Sequence, residues 1–88
     1  MIKILINMKY RRKPVVIDAI QWTGDNYPEV FEFTVGNAYP TKPHSDTLVL
    51  STLEGEMMAT KGCYIIRDMN GDYFPCQEAD FNKTYEPA

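Results

Sequence analysis

The sequence predicts a small α+β domain: an antiparallel sheet of two or more hairpins with one amphipathic helix packed on one face. Three observations predict it. Short runs rich in β-branched and aromatic residues recur after position 46, the dipeptide Asn70-Gly71 sits between two of them, and only residues 26–35 carry apolar side chains at helical spacing.

The elements follow in order. Val15 to Trp22 contains β-branched residues and no Gly or Pro, which reads as a strand. Both alternating faces are largely apolar (Ile17 and Ala19; Val16, Ile20 and Trp22), so the strand is expected to be central or covered on both sides. Thr23-Gly24-Asp25-Asn26 breaks it. Asn26 with Glu29 three positions on, and Pro28 in the first turn, forms a helix start. Tyr27, Val30, Phe31 and Val35 share a stripe expected to face the sheet, and Gly36-Asn37 supplies the stop. Residues 37–46, with Pro40 and Pro43, read as a mobile loop.

Two hairpins follow. Thr47–Leu53 and Met57–Lys61 flank Glu54-Gly55-Glu56, where Gly55 provides positive φ. Cys63–Met69 and Asp72–Cys76 flank Asn70-Gly71. A two-residue loop there pairs Met69 with Asp72, Arg67 with Phe74 and Ile65 with Cys76. One face then carries Cys63, Ile65, Phe74 and Cys76, the other Tyr64, Ile66, Tyr73 and Pro75. With both faces apolar, the helix covers one, and the leader, the tail or a second subunit covers the other. The tail reads as one helical turn at Glu78-Ala79-Asp80-Phe81, then a short strand at Lys83-Thr84-Tyr85.

Length and charge narrow the function classes. At 88 residues the chain holds one modest core and forms a single domain over 1–88, too small for a large cofactor-binding fold. Residues 1–13 hold five Lys/Arg and no acid, whereas residues 14–88 hold four Lys/Arg against all twelve Asp/Glu: +5 against −8. The apolar run at Ile2–Ile6 is short, and no stretch approaches a membrane span of about 20 apolar residues. Two cysteines fit a reducing cytoplasm. Met8 directly precedes the basic run, so residues 1–7 are either a dispensable extension or part of the domain.

The candidate binding residues fall into two groups. Lys9, Arg11, Arg12 and Lys13, with Tyr10 as a stacking surface, suit phosphate or nucleic acid. The plainer reading is a charged approach to the first strand. Tyr64, Asp68, Asp72 and Tyr73 cluster about the second hairpin and suit a protein interface, since Tyr favours sites with one wet end. The plainer reading has the tyrosines lining the sheet and the aspartates serving the turn. The twelve carboxylates offer a phosphate-mimicking surface, or simply a solvated one. Cys63 and Cys76 lack metal-ligand spacing, and His44 is the sole histidine, in a loop. No metal, cofactor or catalytic residue is expected, and the chain is not read as an enzyme.

Two segments carry a resemblance. Residues 8–24, Met8-Lys9-Tyr10-Arg11-Arg12-Lys13-Pro14-Val15-Val16-Ile17-Asp18-Ala19-Ile20-Gln21-Trp22-Thr23-Gly24, resemble the opening of many small phage and prophage proteins of Gram-positive bacteria. Residues 62–76, with Tyr64-Ile65-Ile66-Arg67 and Asn70-Gly71-Asp72-Tyr73-Phe74-Pro75-Cys76, are similar to their second signature, and residues 80–86 to their ending. The pattern has Pro-Gly-Asp where this chain has Lys61-Gly62-Cys63, so no role of that aspartate transfers to Cys63. Residues 1–7 lie outside the pattern. The resemblance implies a virus-derived protein working in the cytoplasm of its bacterial host. The leading expectation is thus a non-enzymatic protein that inhibits a host anti-phage defence factor by stoichiometric binding. The alternative is a nucleotide- or nucleic-acid-binding module using the basic segment. A host protein is the expected partner, no membrane is expected, and a homodimer is allowed.

Overall fold

A computed structural model describes residues 17–87 and shows an α+β fold of two three-stranded antiparallel sheets and two short helices. The first sheet joins β1 (Asp18–Gln21), β5 (Tyr64–Arg67) and β6 (Tyr73–Cys76) in the order β1-β5-β6. The second is a meander of β2 (Ala38–Pro40), β3 (Leu48–Thr52) and β4 (Gly55–Ala59). Helix α1 (Tyr27–Phe33) connects β1 to the meander, and α2 (Glu78–Thr84) follows β6.

One hydrophobic cluster takes residues from both sheets and α1: Trp22, Val30, Leu48, Leu50, Ile65 and Tyr73 are its larger members. Val30, Leu50 and Ile65 have no exposed surface, and burying each contributes about 2 kcal/mol. The Trp22 indole N–H donates to the Asp46 carbonyl at 2.6 Å, tying the end of β1 to the approach of β3. Thr34 is fully buried because its hydroxyl donates to the Val30 carbonyl at 2.9 Å.

Several expectations are corrected. Within the described residues β1 is an edge strand paired only with β5, and Asp18 and Ala19 are exposed, so it is neither central nor covered on both sides. The span 37–46 is not all loop. Residues 38–40 pair with β3 from its edge, where Pro40 deletes no needed donor. The tail is a helix through Thr84 with no strand at 83–85, giving a second helix where one turn was expected.

The second hairpin is shifted by one residue from the expected register. Arg67 pairs Tyr73, Ile66 pairs Phe74 and Tyr64 pairs Cys76. A two-residue turn with positive φ at both centres would give the expected pairing, but only Gly71 adopts it, at φ 80. The loop instead spans Met69-Asn70-Gly71, with the Gly71 N–H on the Asp68 carbonyl at 3.1 Å. Asp68 fixes it: one carboxylate oxygen accepts the Asn70 and Asp72 N–H groups at 2.9 and 3.0 Å. A one-residue slip changes which side chains share a face. Ile65 and Tyr73 face the core, while Tyr64 and Cys76 lie on the opposite face, away from Cys63. Of the three covers the sequence allowed for a second face, the tail packs onto this one: the Phe81 ring stacks flat on Tyr64 with centroids 3.8 Å apart.

Candidate functional site

The basic residues Lys9, Arg11, Arg12 and Lys13, and Tyr10 with them, lie outside the described residues, as does the Met8 start. The other sequence candidates are placed. Tyr73 is 7% exposed and packs edge-on against Phe33 within the core, so it lines the sheet and offers no wet end. Asp68 is the turn anchor described above. One Asp72 carboxylate oxygen accepts the Tyr73 N–H at 2.8 Å and the Leu53 N–H at 3.2 Å, stitching the two hairpin turns together. Tyr64 is half-buried beneath Phe81, which in turn meets Tyr85 at 5.0 Å. The hairpin candidates are therefore not brought together as one site.

The cysteines do not form a pair. Cys63 is buried with its sulfur 3.3 Å from the Thr60 hydroxyl. Burial pushes the Cys76 thiol above its ordinary pKa, and the charges of Asp80 and Cys63 add to this. Among the described residues no group of three or more His, Cys, Asp or Glu side chains is arranged to hold a metal.

The most developed surface feature lies on α1, where the sequence predicted core packing. Pro28 opens the helix as expected, but Asn26 does not cap it with its side chain. Its carboxamide oxygen accepts the Thr23 N–H and hydroxyl, both at 3.0 Å, and its amide donates to the Gln21 carbonyl at 2.8 Å. Asn26 thus sets the angle between β1 and α1. Val30 alone of the expected stripe is fully buried, while Phe31 is 47% and Val35 76% exposed.

Phe31 lies about 100° round the regular helix from Val30, at the edge of the buried face, and for Val35 the cause is the way the helix ends. Regular helix stops at Phe33, Val35 and Gly36 take φ values of 53 and 81, and the Gly36 N–H returns to the Phe31 carbonyl at 2.8 Å. Left-handed backbone turns Val35 off the buried face, and such a conformation is strained for a β-branched residue.

Tyr27, Pro28, Phe31, Glu32, Val35 and Gly36 thereby line an open groove of about 760 Å³. Its floor is held in place: the Tyr27 hydroxyl donates to the Ala38 carbonyl at 2.9 Å, and the Tyr27 and Phe31 rings lie 5.8 Å apart. Glu32 also borders a second cavity, of about 410 Å³, with Ile20, Glu29, Phe33 and Arg67. Phe31 and Val35 as exposed groove residues were missed in the sequence. The signal was the count: Tyr27, Val30, Phe31, Phe33 and Val35 exceed what one side of a two-turn helix can bury.

A smaller apolar row crosses the outer face of the meander. Tyr39, Val49 and Met58 are register partners, with Tyr39 and Met58 exposed. The Tyr39 hydroxyl donates to the Glu56 carboxylate, and that bond, then desolvation, then the Glu56 charge hold the phenol above its ordinary pKa. No helix among the described residues is long and apolar enough to cross a membrane. No protein-family model matches this chain, and no curated protein or solved structure gives a significant match.

Proposed function

We propose that this protein is a non-enzymatic binding protein that acts stoichiometrically on a protein partner, docking through the groove on α1. The observation that carries the reading is the exposure of Phe31 and Val35 beside Tyr27 and Pro28 in one open apolar groove. Contiguous apolar surface is unfavourable in water and marks interaction sites. Its position on a helix anchored to the core gives a partner a preformed surface, which lowers the ordering cost of binding. The phage and prophage resemblance supplies the setting: a virus-encoded inhibitor of a bacterial defence factor in the host cytoplasm.

The test is capture from lysate of a bacterium with intact defence systems. The tagged full chain is compared with a Phe31→Ser/Val35→Ser double variant whose folding is checked by circular dichroism. A protein retained in equimolar amount by the parent and lost by the variant is the expected result. Retention of the same species by both proteins would overturn it.

A second reading, a nucleotide- or nucleic-acid-binding module, draws on the Tyr64, Phe81 and Tyr85 rings, whose stacking surface suits bases. Glu78 and Asp80 on the same helix work against phosphate there. Captured nucleic acid whose affinity falls steeply with salt would favour this reading.

A further inference from the structure

We infer that the segment docking on α1 is cationic: an apolar side chain for the groove, flanked by Lys or Arg that pair with Glu32 and Glu29. This rests on the protein-binding reading and names its partner's chemistry.

The charge distribution around the groove carries it. Between Ile17 and Thr41 the chain has Asp18, Asp25, Glu29 and Glu32 and no Lys, Arg or His. Among the described residues the one ion pair is Arg67 with Asp18, and neither Glu29 nor Glu32 forms one there. Arg67 borders the cavity next to Glu32, but its guanidinium is committed to Asp18 at 3.1 Å and to the Phe33 carbonyl at 3.3 Å. Lys61 lies before the helix, its stem packed over Gly24.

Glu32 is also badly placed for its own helix. It sits in the last turn of α1, where carbonyl dipoles concentrate negative charge; the helix has no basic residue of its own there, and Arg67 of β5 answers the Phe33 carbonyl. A cation from a partner would relieve that repulsion while its apolar neighbours cover Phe31 and Val35. An acidic segment would add to it. Glu29 lies three positions earlier on the same helix, so a basic partner residue has two carboxylates to choose between.

The experiment uses the full chain with two helical peptides of matched length, one alternating Leu and Lys faces and the other Leu and Glu. Binding is followed by calorimetry and by amide NMR shifts. The Leu/Lys peptide is expected to saturate, to move Phe31, Glu32 and Val35, and to bind at least about tenfold tighter than the Leu/Glu peptide. Glu29→Lys/Glu32→Lys should reverse that preference, and Glu29→Gln/Glu32→Gln should abolish it without adding repulsion. Equal binding of both peptides, shifts centred elsewhere, or indifference to these substitutions would overturn the inference. So would a dimer in light scattering that Phe31→Ser dissolves, because a second copy would then fill the groove. A partner captured through Phe31 and Val35 but indifferent to Glu32 would remove this inference alone. Capture independent of Phe31 would remove the protein-binding reading itself.

Discussion

The Arg67 guanidinium lies 4.4 Å above the centroid of the Phe33 ring and also donates to the Phe33 carbonyl at 3.3 Å. One side chain of β5 thus holds both the ring and the terminal carbonyl of α1, while its other nitrogen binds Asp18 of β1. A planar donor suits all three contacts, and an ammonium does not. Arg67→Lys is expected to lower the melting temperature despite keeping the charge, and Arg67→Ala to lower it further. Equal melting of parent and Arg67→Lys would show that charge alone matters.

Asp68 predicts a separation of stability from binding. Its carboxylate satisfies two backbone N–H groups in the loop after β5, so Asp68→Ala should destabilise the domain by about 1–2 kcal/mol in urea titration. Partner capture, once corrected for the folded fraction, should not change. A loss of capture at full folding would return Asp68 to the list of binding residues.

Val35 predicts the opposite trade. Asparagine tolerates left-handed backbone far better than valine, so Val35→Asn should raise the denaturant midpoint by an amount worth about 1 kcal/mol. Capture of the partner should weaken, because the exposed apolar contact is gone. Stability and binding rising together would contradict the groove's role.

Cys76 predicts an alkaline effect. Its folded-state pKa is raised by burial, then by the charges of Asp80 and Cys63, so the folded state holds the thiol proton more tightly than the unfolded chain. Stability from this group is fully present below the ordinary thiol range and is lost as pH rises above about 8.5. Cys76→Ala should flatten that part of the stability–pH curve. Thiol-specific reagents should label the folded protein at Cys76 more slowly than the urea-unfolded chain at the same pH.

Local chemistry made much of the fold legible. β-branched runs and the glycines Gly55 and Gly71 located β1, β3, β4, β5 and β6, because each signal is carried within a few residues. The first hairpin nonetheless turns at Leu53-Glu54, and Gly55 and Glu56, expected in the turn, already pair in β4. β2 was not legible, since three residues ending in Pro40 become a strand only by pairing with β3. The register of the last hairpin turned on the Asp68 carboxylate, whose two N–H contacts outweigh the Asn70-Gly71 preference for a tighter turn. The groove was hidden by the same limit. Helical spacing put Phe31 and Val35 on the stripe of Val30, but Phe31 lies at the edge of the buried face, and only the early end of α1 with the left-handed Val35 turns Val35 to solvent.

Trp22 has a consequence for watching this domain fold. The meander is made from neighbours in the chain, whereas β1 must find β5, with the Gln21 amide reaching a carbonyl 41 positions away. Closing so long a loop is entropically slower than forming adjacent hairpins. The only tryptophan stands at that closure: its backbone N–H bonds Cys63, its carbonyl accepts from Gly62, and its indole bonds Asp46. Its fluorescence is therefore a built-in clock for the last long-range step, while far-ultraviolet dichroism follows the meander. In stopped-flow refolding, the optical change at Trp22 should lag the dichroism.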